Sequence, residues 1–384
     1  MKDNEKKDEI SDERLMNDGI FVKIKRRFSE RGRGIADSWR GFMKKDPREK
    51  RQAVTEFVLE HAMVILILIA TVAIAIARPR FLSPASLINI ISLTAAKLPI
   101  ALGIGGAIVL TGTDISAGRA VGLTACIAAS LLQSGSYMNK MFPSLGVVPI
   151  PLVILAVMAV GAVIGAVNGF FVAKFKLHPF IVTLSTQLVI FGAILLYLQI
   201  GDNGGQTLSG LDPSYLNFVA APLFTVFGIA VPRYVLYSAI ITALMWVIWN
   251  KTAFGKNMFA VGANEEAARV SGVNVFRTIV FVFMLAGIMY GITGFIEGAR
   301  IASIASYTGQ NYESDAIAAC VIGGVSFIGG TGKIGGIVIG VLLLQIIFVG
   351  LNFLSVDQNM LYIIKGLIIL LACALDMRKY AMKR

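Results

Sequence analysis

Residues 148–173 read VPIPLVILAVMAVGAVIGAVNGFFVA, a run with no Lys, Arg, Asp, Glu or His. A helix needs about 20 mainly apolar residues to cross the hydrocarbon core of a bilayer. This run has them, so it reads as a membrane-spanning helix. Working outward, the runs 59–77, 87–110, 117–134, 179–200, 234–249, 278–296, 314–330, 336–354 and 358–375 bring the candidates to ten. The weakest are 234–249, which is short, and 314–330, which is Gly-rich. The apolar stretch 215–231 contains Pro222 and stops at Pro232, and is expected to form a short re-entrant or interfacial helix, with an eleventh span as the alternative. The expected fold class is an all-α polytopic membrane protein of about ten transmembrane helices, some broken by Gly.

Composition agrees. Of 384 residues 56% are hydrophobic and 15% charged, against about 45–50% and about 25% in ordinary soluble domains. The net charge of +12 is unevenly placed, because residues 1–57 hold 16 of the 35 basic and 12 of the 23 acidic side chains. The basic excess therefore argues for a membrane and against nucleic acid as partner. Three parts are expected: a charged cytoplasmic extension at 1–57, a transmembrane domain at 58–375, and a basic cytoplasmic tail at 376–384. Within the extension Ile20, Phe21, Ile24 and Phe28 alternate with basic residues, as in helices that lie in an anionic headgroup layer. A solvated juxtamembrane tail fits the same residues. No signal peptide is expected, since the first long apolar run follows about sixty polar residues. Cys126, Cys320 and Cys373 lie in apolar runs and are read as core residues, not as a disulfide framework.

Positive loops remain in the cytoplasm. Lys174 and Lys176 mark one such segment, and Lys251, Lys256, Arg269 and Arg277 mark another at 250–277. The segment 201–214 has Asp202 and Asp212 and no Lys or Arg. An even span count then puts both termini inside, and ten spans fit. Gly161, Gly165 and Gly169 repeat at the four-residue step that lets two helices pack closely in lipid. The richest Gly clusters, 103–118 and 323–340, lie in opposite halves of the chain. Paired Gly-interrupted segments in two halves point to a transport site.

Enzymatic motifs are missing. Gly329-Gly330-Thr331-Gly332-Lys333 suggests a phosphate loop, but Phe327 stands where a Gly is needed and Ile334 where Ser or Thr is needed. No HExxH, GxSxG or CxxC occurs. Two His leave little for a metal site, and none is expected. The ionisable residues near apolar runs are the candidates for a pathway or a docking face. Asp114 and Arg119 flank a break between two spans, which a cytoplasmic turn also explains. Glu297, Arg300 and Asp315 gather near a predicted outer end, as the lining of a vestibule or the seat of a docking protein. In the segment 250–277, Asn264 is placed to cap a short helix over Glu265–Val270, with Gly272 at its end. A helix this short needs a surface to pack on, and Ala267, Ala268 and Val270 offer one.

Three motifs together carry a family resemblance. They are Gly112-Thr113-Asp114-Ile115-Ser116-Ala117-Gly118-Arg119 with Val121-Gly122-Leu123, the stretch 250–274, and Asp315–Ser326 with the Gly-rich run to Gly336. Over 59–381 the chain resembles the permease subunit of bacterial ABC sugar importers of the ribose/galactose class. The resemblance implies a type II-like importer permease in the bacterial inner membrane, a homodimer with a pathway between its subunits. It implies an external sugar-binding protein and a separate ATPase, which would use ATP and magnesium while this chain binds no cofactor. Glu266-Ala267-Ala268 with Gly272 matches the start of the loop by which such permeases meet their ATPase, without its Ile-x-Leu-Pro continuation. The ATPase contact implied is Asn264, Glu265, Glu266, Ala267, Ala268, Arg269, Ser271 and Gly272. The cargo implied is a monosaccharide or small glycoside, with galactose, glucose and methyl-galactoside foremost and ribose or xylose as alternatives. A secondary sugar or ion symporter is the alternative, although no acidic side chain stands convincingly in mid-span.

Overall fold

The computed structural model describes residues 62–381 together with Asp46 and Glu49. The chain divides into two units, Met1–His61 and Ala62–Arg384, and the second holds the bundle. The amphipathic pattern around Ile20–Phe28 lies outside the described residues.

Among the described residues the fold is helical apart from one hairpin and two isolated β-bridges. Its elements are α1 (Ala62–Ala77), α2 (Pro84–Val109), α3 (Ala117–Leu131), α4 (Ile150–Phe175), α5 (Pro179–Leu198), α6 (Pro213–Ala220), β1 (Pro222–Val226), β2 (Ile229–Pro232), α7 (Arg233–Lys251), α8 (Ala253–Ala263), α9 (Glu265–Val270), α10 (Val275–Ile301), α11 (Tyr312–Ile322), α12 (Ile334–Phe353) and α13 (Gln358–Ala381). Among the described residues six helices, α2, α4, α5, α7, α10 and α12, are long and apolar enough to cross a membrane. The remaining predicted spans correspond to α1, α3, α11 and α13. The run 314–330 is not one helix: α11 has 11 residues, about half a bilayer at 1.5 Å per residue. It stops at Ile322, and Gly324, Gly329 and Gly330 then take positive φ.

Helix starts follow local chemistry. Pro84, Pro179 and Pro213 occupy first helical positions, where the missing N–H costs nothing. Asp212 Oδ1 accepts from the Ser214 amide at 2.8 Å, and Asn274 Oδ1 from the Arg277 amide at 2.9 Å. The stretch 215–231 differs from expectation. Only its first residues are helical, and Pro222–Pro232 is an antiparallel hairpin with Val226 opposite Ile229. Its two-residue turn, Phe227-Gly228, has φ of 51° and 78°, the backbone that matches strand twist.

The core is centred on α10, which runs antiparallel to α4. A Cβ on Gly161 would strike the Gly287 carbonyl, one on Gly165 the Phe283 carbonyl, and one on Gly169 the Val280 backbone. Gly287 and Gly291 return the contact, meeting the carbonyls of Gly161 and Val157. The two backbones touch because Gly161, Gly165 and Gly169 of α4 and Gly287 and Gly291 of α10 place no side chain between them. This packing sets Phe170 beside Phe276, ring centroids 6.1 Å apart. The basic end of α4 therefore lies at the start of α10. At the opposite end, the Tyr215 hydroxyl donates to the Phe295 carbonyl at 2.6 Å, and Leu208 and Ile304 exchange two backbone hydrogen bonds of 2.8 Å. Cys126 and Cys320 are buried and none of the three cysteines is in a disulfide.

Candidate functional site

The turn between α2 and α3 is expected to be solvated if it is a cytoplasmic loop. The structure differs, because Asp114 has 0% exposure. Its Oδ1 accepts from the Ser116 amide at 3.0 Å and from the Ser116 hydroxyl at 2.6 Å. Its Oδ2 accepts from the Tyr290 hydroxyl of α10 at 3.1 Å. The Ser116 oxygen accepts in turn from Asn168 Nδ2 of α4 at 3.0 Å, and Asn168 Oδ1 from the Thr186 hydroxyl of α5 at 2.6 Å. One connected polar network thus ties the turn to α4, α5 and α10. Among the described residues Asp114 has no cationic partner within ion-pair distance. Three donors on one carboxylate meet the demand that buried polar groups be satisfied. The second expected residue, Arg119, stands apart. Its guanidinium lies over the Phe191 ring and donates to the Ser306 carbonyl at 3.2 Å.

The other charged candidates form two pairs. Glu297, with no exposed side chain, accepts on Oε2 from Arg300 Nε at 2.9 Å and Nη2 at 2.7 Å. The Tyr312 hydroxyl approaches the same oxygen at 3.4 Å, while Oε1 has no hydrogen-bond partner. Asp315 is not joined to them by a direct bond; it pairs with Lys365 of α13 at 3.1 Å. Lys97, in the middle of α2, sits over the Tyr312 ring. The start of α11 is therefore held by α2, α10 and α13 through charged groups. Sequence reasoning missed Tyr290, Asn168, Thr186 and Tyr312. The one available signal was Asn168, the single amide in the run 148–173.

The segment 250–277 holds the expected short helix α9 at Glu265–Val270 and, before it, a second helix, α8, that was not expected. Thr252 Oγ1 caps α8, accepting from the Gly255 amide at 3.2 Å. A Cβ on Gly255 would meet the Trp249 carbonyl, so α8 folds tightly against the end of α7. Asn264 Oδ1 caps α9, accepting from the Ala267 amide at 2.9 Å. Glu265 and Arg269 pair across one turn at 2.6 Å. At the far end the Gly272 amide reaches the Arg269 carbonyl and the Val273 amide the Ala268 carbonyl, both at 3.0 Å. That is a Schellman stop, and it requires the positive φ of Gly272, 84°. Only Ala268 of α9 is buried, in a small cluster with Val261 and Val275. Ala267 is exposed, and Val270 is 90% exposed. The surface expected of all three is therefore one residue wide, and the rest of α9 faces outward.

The two Gly-rich clusters meet beside these helices. The Gly330 amide donates to the Val109 carbonyl at 2.9 Å. Gly262 of α8 packs its backbone on the same carbonyl, and Gly329 lies against Thr111. The ends of α2 and α8 and the stretch 323–333 thus form one packed junction.

Comparison with known proteins agrees with this architecture. The family model described as branched-chain amino acid transport system / permease component matches residues 85–373. The galactose/methyl galactoside import permease protein MglC of Haemophilus influenzae is 45% identical over 85% of this chain and 97% of its own length. Its counterpart in Escherichia coli K12 is 44% identical over 87% and 98%. The ribose import permease protein RbsC of Escherichia coli K12 is 34% identical over 86% and 97%. No solved structure gave a significant match.

Proposed function

The chain belongs to the branched-chain amino acid transport system / permease component family, as a permease of the ABC sugar-importer type, and from that premise we propose its cargo, partners and orientation. The cargo is a monosaccharide or small glycoside, galactose, glucose or methyl-galactoside, carried across the bacterial inner membrane. The observation that carries this is the identity of 44–45% to two galactose/methyl galactoside permeases across nearly their whole length, ten points above the ribose permease. A solute-binding protein delivers the sugar, and a partner ATPase consumes ATP with magnesium while this chain binds no cofactor. The permease works as a homodimer.

Ten crossings put both termini in the cytoplasm. Supporting this, Lys174 and Lys176 share one end of the bundle with Arg277 and the α8–α9 helices, while the acidic stretch around Asp212 lies at the other. The ATPase meets α9 through Asn264, Glu265, Glu266, Ala267, Arg269, Ser271 and Gly272, with Val270 as the apolar centre of the contact and Ala268 as its seat. ATP-driven closure of the partner moves α9, and α8 passes the movement to the junction at Val109 and Gly330. This is a two-state cycle in which each partner favours one arrangement. Asp114 holds the turn rather than touching sugar. Arg119, Glu297, Arg300 and Asp315 brace the outward vestibule.

The test is reconstitution. Proteoliposomes holding this permease and its ATPase are given binding protein and labelled galactose. ATP-dependent uptake is expected, and uptake that proceeds equally without the ATPase would make the chain a secondary carrier.

A further inference from the structure

Between α10 and α11 the chain is pressed into the bundle. A Cβ on Gly309 would meet the Gly118 carbonyl, and one on Gly122 the Thr308 carbonyl. Arg119 holds the Ser306 carbonyl, and the Ala305 amide donates to Thr308 Oγ1 at 3.0 Å. The segment is thus fixed along one side by α3. Its other side faces a cavity of about 680 Å³, walled by Ser303, Tyr307, Gln310, Asn311, Tyr312 and, from α13, Tyr362. That volume lies within the range of about 300–1,000 Å³ usual for small-molecule sites.

The lining is chemically selective. It offers three tyrosines, two amides and hydroxyls, and none of its residues is Lys, Arg, His, Asp or Glu. Such a wall holds no formal charge to pair with an ion. It suits a neutral polyhydroxylated ring, whose hydroxyls exchange hydrogen bonds with amides and whose C–H face lies on an aromatic ring. Tyr307 and Tyr362 are 69% and 53% exposed, so their faces are available. Tyr312 belongs to this wall and also approaches Glu297, whose Oε1 is buried without a partner. The cavity is therefore backed by the charged groups that hold α11, so a guest there would contact the element those groups position.

We infer that this cavity is a hexose-sized subsite on the translocation route, in which Gln310 and Asn311 bind sugar hydroxyls and Tyr362 supports the ring. The inference rests on the proposed sugar-import function and adds a place where the permease itself touches its cargo.

Two measurements test it. In the first, permease alone in detergent carries Gln310→Cys, and labelling by a maleimide is timed with and without galactose at high concentration. Galactose is expected to slow labelling at least about twofold, with mannitol without effect. In the second, proteoliposomes with ATPase and binding protein carry Gln310→Leu, Tyr362→Leu or both, at equal membrane abundance. Uptake is expected to fall about three- to tenfold per variant, the worth of one hydrogen bond or ring contact, while ATP hydrolysis stimulated by the binding protein persists. Tyr362→Phe should retain uptake. Labelling of the Gln310→Cys variant that galactose does not slow, together with unchanged uptake in the double leucine variant, would overturn the subsite. Equal loss of uptake and stimulated hydrolysis would also overturn it, as a docking or folding defect. Failure of the wild type to import sugar with its ATPase would instead remove the underlying function, and labelling protection would still report on the cavity.

Discussion

The Ser238 hydroxyl donates to the Ala95 carbonyl at 2.6 Å, the very carbonyl that Pro99 leaves without its helical donor. Proline inside α2 has no N–H to give to the residue four before it. In a membrane that oxygen has no water to turn to, and a neighbouring helix must serve it. Ser238, on α7 and 1% exposed, does so. The prediction is a compensating pair. Ser238→Ala should lower stability by about 1–3 kcal/mol, the cost of orphaning a buried acceptor, read as a lower midpoint of thermal unfolding in detergent. Adding Pro99→Ala should recover much of that loss, because residue 99 then supplies the amide. Equal midpoints for Ser238→Ala and wild type would show that the carbonyl finds another donor.

Glycines in this fold are of two kinds, and alanine separates them. A Cβ on Gly287 collides with the Gly161 carbonyl, backbone that cannot move without parting α4 from α10. A Cβ on Gly192 in α5 meets nothing within 4 Å. Gly192→Ala should be neutral or stabilise by about 0.5–1 kcal/mol through helix propensity. Gly287→Ala should destabilise by about 1–3 kcal/mol as an overpacked contact. Thermal midpoints of the two purified variants decide, and the same shift in both would deny the close crossing.

The Asp114 network makes a graded prediction. Asp114→Asn keeps an oxygen for Ser116 and presents an amide to Tyr290, whose hydroxyl can turn to accept. Asp114→Ala orphans the buried Ser116 and Tyr290 donors at about 1–3 kcal/mol for each unmet group. The alanine variant should show lower membrane abundance and a lower unfolding midpoint, with the asparagine variant close to wild type. If the asparagine variant is as damaged as the alanine one, the carboxylate's charge matters more than its acceptor geometry.

What could be read from sequence tracks the range of the interactions. The cap at Asn264 and the stop at Gly272 lie within nine residues of each other, and local chemistry predicts both. The stripe Gly161-Gly165-Gly169 announces a close helix contact because its spacing defines one face. It does not say that Gly287 and Gly291 lie opposite, since a face does not name its partner. Asp114 finds Tyr290 at a sequence separation of 176 residues, and nothing near Asp114 in the chain foretells it. The hairpin at 222–232 was hidden by a different ambiguity, because a short apolar run fits strand and helix equally. Within 250–277 the helix α8 at Ala253–Ala263 was not legible, because the charges there mark a water-facing end and carry no information on helicity.

The exposed face of α9 yields the prediction closest to function. Glu266 is exposed and forms no ion pair within α9, where Glu265 instead serves Arg269. Glu266→Arg therefore leaves the permease packing untouched, apart from about 0.3–1 kcal/mol for a cation at a helix N-terminus. As part of an ATPase contact, its charge reversal should cost about 2 kcal/mol or more, over tenfold in affinity. Gly272→Pro acts otherwise, since proline holds φ near −65° where the chain needs +84°. It also removes the amide that reaches Arg269, so α9 loses its stop and its seat at Ala268. Both variants should insert normally and abolish ATP-driven uptake. Glu266→Arg should also weaken co-purification with the ATPase, and a basic-to-acidic exchange on the partner would be expected to restore it if the contact is direct. Normal uptake by both variants at equal membrane abundance would remove α9 from the coupling path.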